Sequence, residues 1–133
     1  MLSLQTISVE NAKRAKHWHG GKVWTVMEWA CAMGGEAGEA QNIAKKIRRA
    51  QQGINNRMAG TPDDQIVALI PELVEECADT FLYLLLLLDH VGVDGDAFEE
   101  AVVEKFNRVS EEMHFPERLS NLTDPPREEP AVA

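Results

Sequence analysis

The most informative segment of the chain reads Glu-Glu-Cys-Ala-Asp-Thr-Phe-Leu-Tyr-Leu-Leu-Leu-Leu-Leu-Asp-His, residues 75–90. Its five consecutive leucines, 84–88, place apolar side chains on every side of a helix, whereas a surface helix needs only one apolar stripe. The apolar run lies between Asp79 and Asp89 and is much shorter than the roughly 20 residues that cross a bilayer. The segment therefore predicts a helix of a soluble, all-α protein that is buried by assembly into a homodimer or homotetramer.

The segments before it follow the same helical period, without the alternation that marks a strand. A short first helix is predicted over residues 8–17, closing at the glycine pair 20–21. A second helix is predicted to begin after Thr25, because Thr25 and Glu28 have the spacing of a capping box. It is expected to end before Gly53, after a last turn rich in basic residues.

The third helix is predicted to begin after Thr61, which is followed by a proline and two acids, and to reach about His90. Pro71 lies inside it and is expected to kink or restart it, because the ring removes a hydrogen-bond donor and collides with the preceding turn. A fourth helix is predicted from Asp94, as its cap, to about residue 113. The four helices together predict a four-helix-bundle-like fold.

The length of 133 residues predicts one helical domain, 1–118, followed by a disordered tail, 119–133, that is rich in proline and acids. Residues 1–58 carry nine Lys and Arg against four acids, and residues 59–133 carry four against eighteen, so the net charge of −9 is uneven. This balance argues against binding to duplex nucleic acid, which requires an extended basic surface. The two cysteines have neither zinc nor disulfide spacing, which fits a reducing cytoplasm.

Two pairs of acids interrupt the apolar stripes of the second and third helices. Glu36 fills a stripe position, and Glu39 follows three residues later on nearly the same face. Glu76 and Asp79 repeat the arrangement. Because like charges cannot share a low-dielectric interior unless protons or cations neutralise them, the pattern predicts a divalent metal site. Oxygen ligands without histidine favour Mg²⁺ or Mn²⁺ over zinc, copper or di-iron, although single acids on helices usually face solvent.

The acid motifs Gly35-Glu-Ala-Gly-Glu39 and Glu75-Glu-Cys-Ala-Asp79-Thr-Phe-Leu-Tyr83 resemble those of the MazG-like, all-α nucleoside triphosphate pyrophosphohydrolases, in particular the short versions of phages and bacteria. The resemblance spans residues from about 14 to 118. It implies a magnesium-dependent, oligomeric enzyme of bacterial or phage origin that hydrolyses (d)NTP to (d)NMP and pyrophosphate. Gly35 stands where the motif often has its first Glu, a form also found in relatives that resemble dCTP pyrophosphatases, so the number of metal ions stays open.

The resemblance also implies roles for single residues. Glu36, Glu39, Glu76 and Asp79 would hold the metal, and Glu39 is preferred as the general base because it flanks its stripe. Lys105 falls on an inward stripe of the fourth helix, where an unpaired ammonium is costly, and is expected to contact the triphosphate. The residues expected to bind the nucleotide are Trp18, Lys45, Lys46, Arg49, Tyr83, Lys105, Asn107 and Arg108.

Two of these roles have a purely structural alternative. Tyr83 would then be an ordinary core residue, and the Lys and Arg residues of the second helix would form a solvated helix end. Two alternative functions also stay open. One is a non-catalytic helical oligomer that binds nucleotide or a protein partner, and the other is a phosphoribosyl-ATP pyrophosphatase. The preferred base is not predicted, because an aromatic ring stacks on every base.

Overall fold

Four α-helices, without any strand, make up the part of the chain that a computed structural model describes, residues 2–18 and 23–120. The helices are α1 (Leu4–Trp18), α2 (Val26–Gln51), α3 (Pro62–His90) and α4 (Gly95–Glu112). The prediction of an all-α chain is therefore confirmed. The predicted glycine turn at 20–21 and the tail from residue 121 onward lie outside the described residues.

Side-chain caps fix where three of the helices begin. At the start of α2, the backbone N–H of Glu28 donates to Thr25 Oγ1 at 3.3 Å, and the N–H of Thr25 donates to Glu28 Oε2 at 2.7 Å. Thr61 and Asp64 form the same reciprocal pair at the start of α3, and Asp94 caps α4. Because each cap satisfies backbone N–H groups that have no partner inside the helix, these predicted starts are confirmed.

Two predicted helix features differ in the structure. The first helix begins at Leu4 instead of residue 8, because Ser3 Oγ accepts the backbone N–H of Thr6 at 3.1 Å and so caps an earlier turn. The third helix continues through Pro71, so of the expected kink or restart the restart is wrong. The proline has no N–H to donate to the carbonyl of Val67, and Val67 lies on an exposed side of α3.

The core lies mainly between α2 and α3, which are packed along much of their length. On α2 the buried residues Trp29, Ile43 and Ala50 recur at multiples of seven, the spacing of one helix face. They meet Leu69, Leu85 and Leu86 of α3 in the apolar core. The α2–α3 pair therefore positions any side chain that shares these two faces.

Helices α1 and α4 lie outside this pair, with α1 packed on α3 and α4 packed on α1. Buried Asn11 ties α1 to α3, because its Nδ2 donates to the backbone carbonyl of Leu82 at 2.8 Å. Buried Gly95 brings the start of α4 against the backbone of Leu4 and Gln5, so closely that a side chain at residue 95 has no room. The position of α4 thus depends on α1.

The exposed apolar surface does not lie at leucines 84–88, where the sequence predicted it. Leucines 84–88 are each buried or half-buried within the single chain, because α2 and α1 cover different sides of α3. The large apolar residues that remain exposed on α3 and α4 are Val67, Ile70, Val74, Val102, Phe106 and Val109. No helix in the described ranges is long and apolar enough to span a membrane.

Candidate functional site

Three half-buried carboxylates from α2 and α3 converge beside the core. One carboxylate oxygen from each of Glu36, Glu76 and Asp79 lies within 4.8 Å of the other two. Glu36 is seven residues from both Trp29 and Ile43, the residues that bury α2 against α3, so it occupies the same helix face. The structure thus brings together Glu36 and Glu76, which interrupt the predicted stripes, and Asp79, which flanks one of them, and we refer to these three acids as the carboxylate cluster.

Glu39 lies at the rim of the carboxylate cluster. Glu39 is exposed, and it is not one of the three acids whose carboxylate oxygens lie within 4.8 Å of one another. Its carboxyl group nevertheless lies close enough to those of Glu36 and Glu76 to raise the pKa of both. The structure therefore brings all four predicted acids together, three on the inside and one towards solvent.

The cluster has unfavourable electrostatics when no cation neutralises it. Partial burial, followed by the negative charges of Glu39 and Asp79, raises the pKa of Glu36. Partial burial, followed by the nearby carboxyl group of Glu39 and its negative charge, raises the pKa of Glu76. Within the described residues, no Lys or Arg forms an ion pair with any of these acids. A set of hard carboxylate oxygens without a neutralising cation has the chemistry that Mg²⁺ or Mn²⁺ requires.

A row of aromatic rings leads away from the carboxylate cluster. Tyr83 follows Asp79 by one helical turn, with the Trp18 ring centroid at 6.5 Å and the Trp29 centroid at 6.3 Å from its own. Trp24 continues the row at 4.6 Å from Trp29. Burial, then the charges of Glu36 and Asp79, raise the pKa of Tyr83. Its phenol stays protonated at neutral pH and is a hydrogen-bond donor beside the acids.

Asn11 and Arg14 support this row and were missed by the sequence analysis. Arg14 Nη2 donates to Asn11 Oδ1 at 2.9 Å, and the guanidinium carbon of Arg14 lies 5.6 Å from the centroid of the Trp18 ring. Because Asn11 is anchored to α3, the pair fixes the face of α1 that carries Trp18. The spacing of Asn11, Arg14 and Trp18, three and then four residues, was the available signal, since it marks one helix face.

Two hollows adjoin the aromatic row. The cleft between Trp18 and Tyr83 has a volume of only about 10 Å³, which holds roughly one water molecule. A larger cavity of about 200 Å³ opens on the far side of the row. The polar and aromatic residues in its wall are Lys16, Trp24, Trp29, Asp89 and His90. A planar ligand therefore has more room beside Trp24 and Trp29 than beside Trp18.

The residues predicted on α4 do not join the carboxylate cluster within the chain. Lys105 and Arg108 are exposed, and no hydrogen bond or ion pair links them to the four acids in the described part. The expected burial of Lys105 is therefore wrong for the single chain, because α4 packs on α1 and leaves that face open. Asn107 holds the chain after α4: its Nδ2 donates to the carbonyl of Leu119, and its Oδ1 accepts the N–H of Leu119, both at 2.8 Å.

The basic residues at the end of α2 lie at a different place again. Lys45, Lys46 and Arg49 line a separate cavity that the loop after α2 closes.

Comparisons with models of known families, with curated proteins and with solved structures found no match to this chain. The proposed function therefore rests on the carboxylate cluster and on the aromatic row beside it.

Proposed function

We propose that the chain is a magnesium-dependent nucleoside triphosphate pyrophosphohydrolase, which converts a (d)NTP and water into a (d)NMP and pyrophosphate. The observation that carries this proposal is the convergence of carboxylate oxygens from Glu36, Glu76 and Asp79 within 4.8 Å, without a neutralising cation among the described residues. The resemblance of the two acid motifs to those of MazG-like enzymes supports it, as does the aromatic row beside the cluster.

In this proposal Glu36, Glu76, Asp79 and Glu39 hold Mg²⁺, with Mn²⁺ as a substitute. When bound, the metal would supply positive charge that offsets the charge of the triphosphate and orients it, and would make a bound water molecule more acidic. Glu39 accepts the proton of the attacking water, because it lies at the rim of the cluster, where water has access. The other three carboxylates lie deeper and keep their place through the packing of α2 on α3.

The nucleoside is proposed to lie along the aromatic row. The protonated hydroxyl group of Tyr83 is one turn from Asp79 and donates a hydrogen bond to the sugar. The base then stacks in the cavity beside Trp24 and Trp29, or on Trp18 after that ring moves away from Tyr83. Lys105 and Arg108 would contact the triphosphate only from a neighbouring subunit, because α4 leaves them exposed in the single chain.

A pyrophosphate-release screen tests the proposal. The eight common ribo- and deoxynucleoside triphosphates and dUTP would each be incubated with the full chain and Mg²⁺ or Mn²⁺. We expect turnover of at least one of them, and a loss of at least about 100-fold in kcat/KM for Glu76→Gln and Asp79→Asn, since even residues that only support metal ligands cost 10–100-fold. Glu100→Gln, an exposed acid on α4, is the matched control and should retain activity.

Each negative outcome has a distinct meaning. Absence of turnover with every nucleotide and both metals would refute the proposal. Calorimetric binding of nucleotide without turnover would instead favour a non-catalytic nucleotide-binding oligomer. Turnover of phosphoribosyl-ATP alone would identify the related pyrophosphatase of histidine synthesis. Equal losses in Glu100→Gln and Glu76→Gln would also contradict the proposal, because the carboxylate cluster would then have no special part in the reaction.

A further inference from the structure

A second polar cavity, of about 240 Å³, lies between the last turns of α2 and the loop that follows it. Its lining contains four cationic side chains and three asparagines and no acid: Asn42, Lys45, Lys46, Arg49, Asn55, Asn56 and Arg57. In the described ranges the one ion pair joins Lys13 to Glu10, so none of these four cations is neutralised by a carboxylate there. In a chain of net charge −9, this is a local concentration of positive charge.

The loop that closes the cavity is held by specific hydrogen bonds. Asn56 Nδ2 donates to the carbonyl of Lys46 at 2.8 Å, and Arg49 Nη2 donates to the carbonyl of Asn55 at 3.2 Å. The backbone N–H of Arg57 donates to Asn55 Oδ1 at 2.6 Å, with Arg57 at a φ of 59°. The side chains of α2 and of the loop therefore face one another across a defined space, unlike scattered lysines on an open surface.

The cavity is separate from the carboxylate cluster of the same chain. Lys45 follows Glu36 by nine residues, which is about two and a half helical turns and about 13.5 Å along the axis. Half a turn beyond a whole number places Lys45 on the side of α2 opposite to Glu36, and Glu36 shares the side that packs on α3. A triphosphate held at the carboxylates therefore lies across the helix from this cavity.

We propose that this cavity is a second anion site, which binds a phosphate or pyrophosphate group through Lys45, Lys46, Arg49 and Arg57 without a divalent cation. Guanidinium groups match phosphate oxygens in pairs, and lysines add charge, so converging Arg and Lys residues suit phosphate. The volume is below the roughly 300–1,000 Å³ typical of pockets for drug-sized ligands and suits a small anion. This inference does not depend on the proposed hydrolase activity.

Calorimetric titration of the full chain with pyrophosphate in EDTA tests the inference, at an ionic strength held constant. We expect saturable binding of one pyrophosphate per chain, weakened roughly tenfold or more in Arg57→Gln and in Lys45→Gln because each loses a charge-assisted contact. Lys45 makes no side-chain hydrogen bond within the described residues, so its substitution removes charge without loosening the loop. Lys13→Gln, which removes one exposed cation from α1, is the matched control and should bind as the unmodified chain does.

Three results would overturn the inference. Absence of saturable binding in EDTA would show that the cavity takes no phosphate by itself. Loss of binding in Glu76→Gln would assign the anion to the carboxylate cluster, and equal weakening in Lys13→Gln would show attraction by overall charge only. Titration with ATP and with adenosine separates the sources: Arg57→Gln should weaken ATP as it weakens pyrophosphate, and adenosine, which has no phosphate, should not compete with pyrophosphate. Failure of the hydrolase proposal would leave this EDTA experiment unaffected.

Discussion

Glu36 and Glu76 have raised pKa values in the folded chain, and this has a consequence for stability. In the unfolded chain both groups titrate near the ordinary value of 4.5. Between 4.5 and the raised values the folded chain binds more protons than the unfolded chain, so the free energy of unfolding falls as the pH rises through that window. Below 4.5 this loss is absent, and it grows as the pH rises above 4.5 unless a cation binds.

Glu36→Gln should therefore stabilise the metal-free protein at neutral pH. Removing one charge relieves the repulsion among the acids, and we expect the melting temperature in EDTA to rise by about 1–3 °C, the shift that a fraction of a kcal/mol produces in a domain of this size. The stabilisation by Mg²⁺ should shrink in the same variant, because one ligand is lost. Differential scanning fluorimetry at pH 5 and pH 7, with and without Mg²⁺, measures both effects.

The pH comparison sharpens this experiment. Because the pKa values of Glu36 and Glu76 are raised, these acids carry more protons at pH 5 than at pH 7, and the gain from Glu36→Gln should be smaller at pH 5. Glu100→Gln should leave the melting temperature unchanged at both pH values. A lower melting temperature of Glu36→Gln in EDTA at pH 7 would contradict the assignment of unfavourable electrostatics to the carboxylate cluster.

The sequence predicted inward-facing polar side chains more reliably on α2 and α3, which form the core, than on α4. Glu36 and Glu76 interrupt apolar stripes that α2 and α3 do bury against each other, so their inward position was predictable. Lys105 also interrupts an apolar stripe, but the structure leaves that face of α4 open. A stripe shows that a helix has an apolar side, whereas the neighbour that covers that side depends on tertiary packing.

At the scale of elements, local signals predicted most helix ends. Thr25, Thr61 and Asp94 act as caps because each side chain bonds to backbone only three residues away, so no distant part of the chain is needed. The contact between α1 and α4 is different, since it depends on Gly95 and the backbone of Leu4 and Gln5. Nothing in the sequence near residue 95 indicated which element would approach it.

Gly95→Ala should destabilise the protein by about 1–3 kcal/mol, the usual cost of overpacking. The added methyl group would meet the backbone of α1, which cannot move aside as a flexible side chain would. Gly34→Ala is the matched control, because a side chain at residue 34 meets nothing within 4 Å. Since glycine inside a helix is less favourable than alanine, Gly34→Ala should gain about 0.5–1 kcal/mol.

Urea unfolding followed by circular dichroism measures the two free energies of unfolding under the same conditions. Equal stability of Gly95→Ala and the unmodified protein would mean that α4 does not approach α1 closely in solution. The Gly34→Ala variant also tests whether the interior of α2 is an ordinary helix, with no further chain packed against residue 34.

At the scale of the whole molecule, the open faces of α3 and α4 bear on assembly. Val102, Phe106 and Val109 lie on α4 at helical spacing and remain about two-fifths exposed, although they would form one apolar face. Val67 and Val74 on α3 are still more exposed. We therefore retain the prediction of a homodimer or homotetramer, but move its basis from leucines 84–88 to these two faces.

Analytical ultracentrifugation at micromolar concentration tests this prediction. The unmodified chain should sediment as a dimer or tetramer, and Val102→Glu together with Phe106→Glu should shift it towards monomer, because charges would enter the buried face. The matched control is Glu100→Gln, on the same helix, which should not change the mass. A monomeric unmodified chain would contradict the prediction, and any role of Lys105 from a neighbouring subunit would then be lost with it.

The sequence by itself determined the features that depend on neighbours within one or two helical turns. These are the helical period, the caps at Thr25, Thr61 and Asp94, and the pairing of Glu36 with Glu39 and of Glu76 with Asp79. Tertiary structure alone decided which faces meet across the chain. It brought the two acid pairs together, joined Asn11 to Leu82, and folded the loop after α2 back so that Asn56 donates to the carbonyl of Lys46. The reason is physical: caps and spacing are set by local backbone geometry, whereas contacts between helices depend on how the apolar surface of the whole chain is buried.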